Sequence, residues 1–312
     1  MTHGLWPENL ACLTGVQRRP AGVIFAVEGT AYPGAPEAPV PLIDDGSGWW
    51  AGFSSGMVGG LINAQDGLWD SVCVPYPAAT IPMWPSVQQG RQALKTAMAQ
   101  YAAGYLRKYG SYDGLAILMT GYSQGSMVVD EVYTKDLLSP GGGLHFLLPC
   151  VYRIYQFGHV FRTPGIAHGN ELAGLPQSIP QDGVETGGIG LGLDLLPAQT
   201  NYVARDGRPV VHSCANPGDL YAACSVGTDP WSHPAPEGKV GNIFMNIVMQ
   251  PTFADVLSTV TVLGELLPAV LELFHTMSFF AQGMNSPHYQ YYAQMDACVA
   301  DALALGNSLP HA

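Results

Sequence analysis

The feature that most constrains the fold is a Gly-Tyr-Ser-Gln-Gly segment at residues 121–125. An apolar stretch at 114–120 precedes it and predicts a buried strand, and a helical pattern runs from 124 to about 138. Glycines on both sides of Ser123 allow a sharp turn in which the backbone passes close to its neighbours. This segment, the elbow, therefore predicts a strand–turn–helix unit that presents a serine hydroxyl.

Other strand and helix patterns alternate along the chain. A helix is predicted over 86–109, capped by Ser86, and a final helix over 289–305. Residues 31–69 are rich in Pro, Gly and Trp, which favours a long loop. Four further strands are predicted at 21–30, 70–76, 151–157 and 208–214. Strands that alternate with helices indicate βαβ units and a parallel sheet, so an α/β fold is expected.

The sequence changes in texture after residue 235. From 240 to 283 it is mostly aliphatic, with apolar side chains at helical spacing, which predicts two or three helices. We therefore divide the chain into an N-terminal arm, a catalytic core in two pieces, and a helical linker or lid inserted between them. Their bounds are 1–20 for the arm, 21–235 and 284–312 for the core, and 236–283 for the insertion.

Charge and composition restrict the partners. The chain has 24 acidic and 12 basic residues, a formal net charge of -12. Such a surface repels phosphate backbones, so no nucleic-acid partner is expected. No paired His/Cys spacing and no nucleotide-binding motif stands out, so we expect neither a metal nor a cofactor. The first residues lack the basic start and apolar run of a signal peptide, which predicts synthesis in a cytoplasm.

A serine at such a turn is a candidate nucleophile, but its hydroxyl needs a base in contact and an acid that orients the base. In chain order the acid and then the histidine follow the serine in folds of this kind. Asp219 lies in a turn after the strand at 208–214 and is the preferred acid. Four other aspartates occupy loops and remain alternatives: Asp182, Asp194, Asp206 and Asp229.

His288 is the preferred base. It lies in a loop just before the last predicted helix, where the base of such a fold belongs. Three other histidines follow Asp219 and are alternatives: His233, His275 and His311. Oxyanion donors are expected from the backbone of Gln124, which follows the nucleophile, and from Thr30 in the turn after the first strand. Cys214 and Cys224 bracket the acid, and either a bridge or two free thiols is compatible with the sequence.

These residues resemble the Lysin B enzymes of mycobacteriophages, within the cutinase-like branch of the α/β hydrolases. The resemblance covers about residues 20 to 300. It rests on Glu-Gly-Thr at 28–30, the elbow, Asn-Pro-Gly-Asp-Leu-Tyr-Ala-Ala-Cys at 216–224, Met-Ser-Phe-Phe-Ala-Gln-Gly at 277–283 and Ser-Pro-His-Tyr at 286–289. The long stretch of 68 residues between Asp219 and His288 also belongs to it. His159, directly after the fourth strand, departs from the pattern, and it either contacts substrate or only packs.

The resemblance implies an α/β-hydrolase with a mostly parallel sheet and a carboxylic ester hydrolase activity. Ser123, Asp219 and His288 would form the triad, and Thr30 and Gln124 the oxyanion hole. The substrate would be the ester between mycolic acids and arabinogalactan, cut at the host cell envelope after lysis begins. A monomer with peripheral contact to mycobacterial outer-membrane lipid is expected. The alternatives are a general lipase or cutinase, an acyl transferase, and a catalytically silent lipid-binding scaffold.

Overall fold

The core of the molecule is a five-stranded sheet whose neighbouring strands are all parallel, in the order β2-β1-β3-β4-β6. Its strands are β1 (Gly22–Val27), β2 (Trp69–Cys73), β3 (Ala116–Tyr122), β4 (Val151–Phe157) and β6 (Val211–Cys214). Two short strands, β5 (Thr186–Gly187) and β7 (Cys224–Ser225), form an antiparallel pair. The computed structural model describes residues 19–30, 52–79, 82–190, 202–230, 232–233, 235–252, 254–255 and 286–309.

The predicted parallel sheet is confirmed, and its burial explains why the strands could be recognised. Every residue of the central strands β1, β3 and β4 is buried, which is typical of strands covered on both faces, and the edge strand β6 is buried as well. The edge strand β2 is partly exposed and correspondingly carries polar side chains at Asp70 and Ser71. Strand β4 has the predicted bounds and β3 the predicted length, shifted by two residues, whereas β1, β2 and β6 are shorter than predicted.

Helices flank this sheet. They are α1 (Phe53–Ala64), α2 (Met83–Tyr109), α3 (Gln124–Val132), α4 (His168–Leu172), α5 (Pro236–Val248) and α6 (Tyr292–Ser308). A π-helical stretch, Tyr133–Leu138, extends α3, and 3-10 helices span His145–Cys150 and Pro287–Tyr289. Helix α2 packs against α3, while α1 and α4 pack against α6. Within the residues described here, no helix is long and apolar enough to cross a membrane.

The expected loop over 31–69 is wrong at its second half, where α1 lies. The sequence of α1 is rich in glycine and serine, which have low helix propensity, so the helix was not evident. Tertiary contacts supply what propensity does not. The carboxylate of Glu28 accepts a hydrogen bond from the backbone N–H of Ser55 in the first turn, at 2.5 Å, and α6 covers the helix.

Two predicted helix ends are also wrong. Helix α2 begins at Met83, and Ser86 lies inside its first turn, where its hydroxyl accepts a hydrogen bond from Ala79 N–H at 3.0 Å. The last helix begins at Tyr292, because Pro287–Tyr289 forms a separate 3-10 turn. Of the predicted helical insertion, α5 is present, and residues 256–285 lie outside the described part of the chain.

The register of the sheet brings four strand ends to one edge. The last paired residues are Val27 with Gly121, Tyr122 with Phe157, and Phe157 with Cys214. The chain therefore leaves β1, β3, β4 and β6 at nearly the same level. In open α/β sheets this carboxyl edge is where ligand sites form.

The close approach of the elbow to β1 predicts that Gly125 tolerates no side chain. A β-carbon at Gly125 would lie 2.2 Å from the carbonyl oxygen of Val27. We expect Gly125→Ala to lower the free energy of unfolding by about 1–3 kcal/mol or more, measured by urea denaturation. Gly59→Ala is the control, because that α1 position has open space around it. It should raise the free energy of unfolding by up to about 1 kcal/mol. Equal effects of the two changes would contradict the packing argument.

Candidate active site

Ser123 occupies the turn between β3 and α3 in a strained conformation. Its φ is 52° and its ψ is -119°, in a region that costs a residue with a side chain roughly 1–3 kcal/mol. Three hydrogen bonds hold it there. Its N–H donates to the Phe157 carbonyl at 2.9 Å, and its carbonyl accepts from the N–H and the hydroxyl of Ser126, at 2.9 and 2.6 Å. The predicted elbow is therefore present, with Ser123 at its apex.

Asp219 and His288 form a buried pair at the same edge of the sheet. The Nδ1 atom of His288 lies 2.9 Å from Oδ2 of Asp219, and both side chains are at most 3% exposed. Asp219 also accepts hydrogen bonds from the Tyr291 hydroxyl and, at 2.9 Å, from Tyr221 N–H. Burial by itself would raise the pKa of Asp219, but the charge of His288 and these hydrogen bonds hold that pKa below its usual value. The carboxylate is thus kept ionised.

Asn216 ties the turn that carries the acid to the turn that carries the histidine. Its side-chain amide donates to the carbonyls of Pro287 at 2.8 Å and Gln290 at 3.0 Å. The side chain of Gln294, on α6, donates in turn to Oδ1 of Asn216 at 2.7 Å. Asp219 and His288 are far apart in sequence, so this clamp is what fixes their separation.

The ring of His288 lies against the turn that follows β4. Gly158 there has a φ of 60°, and a β-carbon on it would lie 2.5 Å from Cε1 of His288. The Tyr122 hydroxyl donates to the His288 carbonyl at 3.1 Å, and the two rings are 5.0 Å apart. Ser123 bonds to Phe157, the residue just before Gly158. The same turn therefore supports both the serine and the histidine.

Of the two predicted oxyanion donors, Gln124 directly follows Ser123, and Thr30 belongs to the turn after β1. Gln124 is the first residue of α3, and the first N–H groups of a helix have no partner within it. Its side chain is anchored away from the turn, since Nε2 donates to the Ala79 carbonyl at 2.7 Å. Thr30 follows Gly29, whose added β-carbon would lie only 3.1 Å from Cβ of Ser123. The turn after β1 thus passes beside the serine.

Beneath that turn lies the buried carboxylate of Glu28, which the sequence indicated only as part of the turn. It accepts from Ser55 N–H, and its backbone carbonyl accepts from the Tyr76 hydroxyl at 2.6 Å. Burial raises the pKa of Glu28, although hydrogen bonds from Ser55 and Gly29 oppose that effect. Glu28 therefore joins the turn after β1 to the start of α1.

Arg162 supports the segment that follows Asp219. It was not singled out from the sequence. Its fully buried guanidinium donates to the carbonyls of Ala222 at 2.6 Å and Thr186 at 2.7 Å, among others. Burial lowers its pKa to about 10, so it remains charged at neutral pH. Because Ala222 lies in the segment that follows Asp219, Arg162 fixes that segment and adds positive potential near the carboxylate.

The alternative acids and bases lie elsewhere or outside the described residues. Asp206 bonds to Arg153 at 2.6 Å, and Asp229 pairs with His233 at the surface at 3.1 Å. Asp182 is exposed. Asp194, His275 and His311 are not among the described residues. Among the candidate acids and bases that the structure describes, Asp219 and His288 are the pair that contacts the elbow, through Tyr122.

The cysteine alternative is also decided. Cys214 is a buried free thiol, so it does not bridge to Cys224. Across the ranges that the structure covers, no three His, Cys, Asp or Glu side chains come together as metal ligands would.

The residues around the site that the sequence did not reveal are Tyr291, Asn216, Gly158 and Arg162. Asn216 carried a partial signal, as a polar residue in the loop after a buried strand.

The site can now be compared with known proteins. No family model matches the chain. Over 148 residues it is 35% identical to Endolysin B of Mycobacterium phage D29, which covers 47% of this chain and 51% of that protein. Over 96 residues it is 33% identical to Endolysin B of Mycobacterium phage L5, covering 31% and 35%. The chain is a homologue of these Endolysin B proteins. It matches about half of the D29 protein's length, and less of the L5 protein's.

The solved structures agree in fold. The crystal structure of lysin B from Mycobacteriophage D29 matches with a TM-score of 0.59 and 24% sequence identity. The match covers 88% of this chain and 98% of that one. Together with the parallel sheet flanked by helices, it confirms the α/β-hydrolase fold that the sequence predicted.

The depressed pKa of Asp219 predicts a pH-dependent contribution to stability. A carboxylate whose folded pKa lies below its unfolded pKa stabilises the fold above the unfolded pKa, and this contribution is lost as pH falls through the folded one. We expect Asp219→Asn to reduce the free energy of unfolding by about 1–3 kcal/mol near neutral pH. The difference from wild type should shrink below about pH 4, in urea denaturation across a pH series. A difference independent of pH would contradict a lowered pKa of Asp219 in the folded protein.

Proposed function

We propose that this chain is a serine esterase that uses Ser123, His288 and Asp219. The observation that carries the proposal is the strained turn at Ser123, at the same sheet edge as a buried Asp–His pair. A non-glycine residue at positive φ persists only where the surrounding structure holds it, and such strain clusters at active sites. The Endolysin B homologues and the shared fold support an enzyme of the same type.

The geometry suits a two-step ester hydrolysis. His288 gives its Nδ1 to Asp219, so Nε2 is the nitrogen that takes the Ser123 proton as Oγ attacks the ester carbonyl. Donors at Gln124 and Thr30 stabilise the negative oxygen of the tetrahedral intermediate. The proton on His288 then passes to the leaving alcohol. In the second step water attacks the acyl-serine, and His288 takes the proton of the water. His288 then returns this proton to Oγ of Ser123 as the carboxylic acid leaves.

Asp219 acts through His288 in this scheme. Its hydrogen bond fixes the ring orientation and the tautomer, and its charge stabilises the imidazolium that forms in each step. His288 and the hydrogen bonds from the Tyr291 hydroxyl and Tyr221 N–H keep the carboxylate ionised. Arg162 fixes the segment that follows it through the Ala222 carbonyl.

The proposed substrate is the ester between mycolic acids and arabinogalactan of the mycobacterial cell wall. Two observations support it. The homologous proteins are named Endolysin B and come from mycobacteriophages, and the mostly aliphatic sequence from 240 to 283 would suit a long acyl chain. The enzyme would be made in the host cytoplasm and act on the host envelope after lysis begins. It would act as a monomer that touches outer-membrane lipid peripherally.

The decisive experiment compares wild type with Ser123→Ala on purified mycolyl-arabinogalactan-peptidoglycan. We expect free mycolic acid from wild type and none from the variant, because the triad acts as a unit. Ser71→Ala, an exposed serine on β2, is the matched control and should keep the wild-type rate. Ester hydrolysis that survives in Ser123→Ala would refute the assignment of the nucleophile.

The same experiment separates the rival functions. If wild type cleaves short p-nitrophenyl esters through Ser123 but releases no mycolic acid, the chain is a general lipase or cutinase. If it cleaves neither substrate and a fluorophosphonate probe leaves Ser123 unlabelled, it is a silent lipid-binding scaffold. If the released acyl group appears on an added sugar alcohol rather than as free acid, it is an acyl transferase.

The role of Thr30 gives a separate prediction. Thr30→Val keeps the side-chain shape and removes the hydroxyl, whereas Thr30→Ser keeps the hydroxyl. If that hydroxyl donates to the oxyanion, Thr30→Val should lower kcat on a short p-nitrophenyl ester by about a hundredfold, with little change in KM. Thr30→Ser should stay near wild type. Equal rates for both variants would show that the Thr30 hydroxyl is not a donor.

A further inference from the structure

A second buried Asp–His–Ser cluster lies directly behind the elbow. The Nε2 atom of His159 is 2.6 Å from Oδ2 of Asp130, and its Nδ1 atom is 2.8 Å from the hydroxyl of Ser213. Gln156 completes the cluster by donating to Oδ1 of Asp130 at 2.6 Å. All four side chains are buried, His159 and Asp130 completely. The proposed mechanism does not use any of them.

Burial excludes a direct role in chemistry for this cluster. A nucleophile or base must reach the substrate, whereas Ser213 is 4% exposed and His159 and Asp130 are 0% exposed. For a neutral imidazole, the hydrogen-bond directions follow from the partners of the ring. A carboxylate only accepts, so Nε2 of His159 carries a proton toward Asp130, and in the neutral ring Nδ1 accepts from the Ser213 hydroxyl. A buried network in which both ring nitrogens of His159 and both carboxylate oxygens of Asp130 are hydrogen-bonded rigidifies the elements it joins.

The elements that the cluster joins are those that carry the proposed triad. Asp130 lies on α3, which begins directly after Ser123. Ser213 lies in β6, whose end leads to the turn with Asp219. His159 itself follows Gly158, the residue on which the ring of His288 rests. One imidazole is thus linked to the supports of the nucleophile, the acid and the base.

A further set of contacts couples this cluster to the elbow itself. Gln156 also donates to the carbonyl of Ser126 at 3.4 Å, and the Ser126 hydroxyl bonds to the carbonyl of Ser123 at 2.6 Å. The N–H of Val160, next to His159, donates to the same Ser126 hydroxyl at 3.5 Å. A displacement of His159 would therefore reach the strained turn through Val160, its neighbour in the chain, and through Asp130 and Gln156, since Val160 and Gln156 both bond to Ser126.

We propose that His159 is a positioning residue for the esterase site. Through Asp130 and Ser213 it fixes α3, the turn after β4 and the end of β6 at the separation that the triad needs. This inference rests on the proposed function. It answers the question that the sequence left open, because His159 is placed to hold the three supports and not to contact substrate. Misplacement of reacting groups by about 1 Å can cost about a hundredfold in rate, so small shifts at this residue would be measurable.

The test uses full-length variants and a short p-nitrophenyl ester. His159→Leu removes both hydrogen bonds, whereas His159→Gln keeps an N–H donor at about the reach of Nε2. Each kcat is divided by the fraction of molecules labelled at the end point by a fluorophosphonate probe, which counts competent Ser123 sites. We expect kcat per site to fall by about tenfold or more in His159→Leu with KM little changed. His159→Gln should recover most of that loss.

Tyr155→Phe is the matched control. Tyr155 is a fully buried residue of β4, the strand that leads to His159, and its hydroxyl bonds to Asp301 on α6 at 2.8 Å rather than to a triad residue. It should lower the melting temperature while leaving kcat per site unchanged. If His159→Leu behaves in the same way, its role is only structural and the proposal is overturned. If His159→Leu does not fold, His159→Gln and Ser213→Ala replace it, and wild-type kcat per site in both would overturn the proposal equally.

Failure of this inference is distinguishable from failure of the proposed function. If Ser123→Ala retains ester hydrolysis, the proposed esterase site is wrong whatever the His159 variants do. If Ser123→Ala is inactive while the His159 variants keep wild-type kcat per site, only the positioning role is wrong.

Discussion

The hydrogen-bonded register of the parallel sheet is the constraint on which the site depends. Because β1, β3, β4 and β6 end at one level, four turns emerge side by side. One carries Thr30, one Ser123, one Gly158 and the last leads to Asp219. The site is therefore a property of strand ends rather than of any one loop, and only His288 arrives from elsewhere. That histidine is brought in by the Asn216 clamp and by the Tyr122 hydroxyl.

Several buried polar groups beneath the site form the second layer of this arrangement. Glu28, Asp130 and Arg162 are almost or completely buried, and each bonds to backbone or side chains that lead directly to a site residue. Removing such groups from water is unfavourable unless each finds hydrogen-bond partners. In these networks each group has such partners, and the networks rigidify the elements that they join. Their position next to the strained Ser123 turn is consistent with that use, since strain persists only where neighbouring contacts over-determine the geometry.

The sheet, the elbow and the close pairing of Asp219 with His288 could be predicted because each left a local pattern. Fully buried strands have continuous apolar sequences, and Gly-x-Ser-x-Gly directly after a strand is typical of a strand–turn–helix unit. Helix α1 could not be predicted, because its glycines and serines disfavour a helix and the contacts that hold it come from Glu28 and α6. Tyr291 and Arg162 were missed for a similar reason, since their partners lie far away in sequence.

The Asn216 clamp has a consequence for how this protein can vary. It joins the two ends of the stretch that separates Asp219 from His288, so the acid and the base stay together whatever connects them. The entropy of closing a long loop grows slowly, by about 0.6 kcal/mol for each doubling of its length. Insertions and deletions in that stretch are therefore inexpensive for the pair. Evolution can therefore remodel that stretch while the geometry of the Asp219–His288 pair is inherited unchanged.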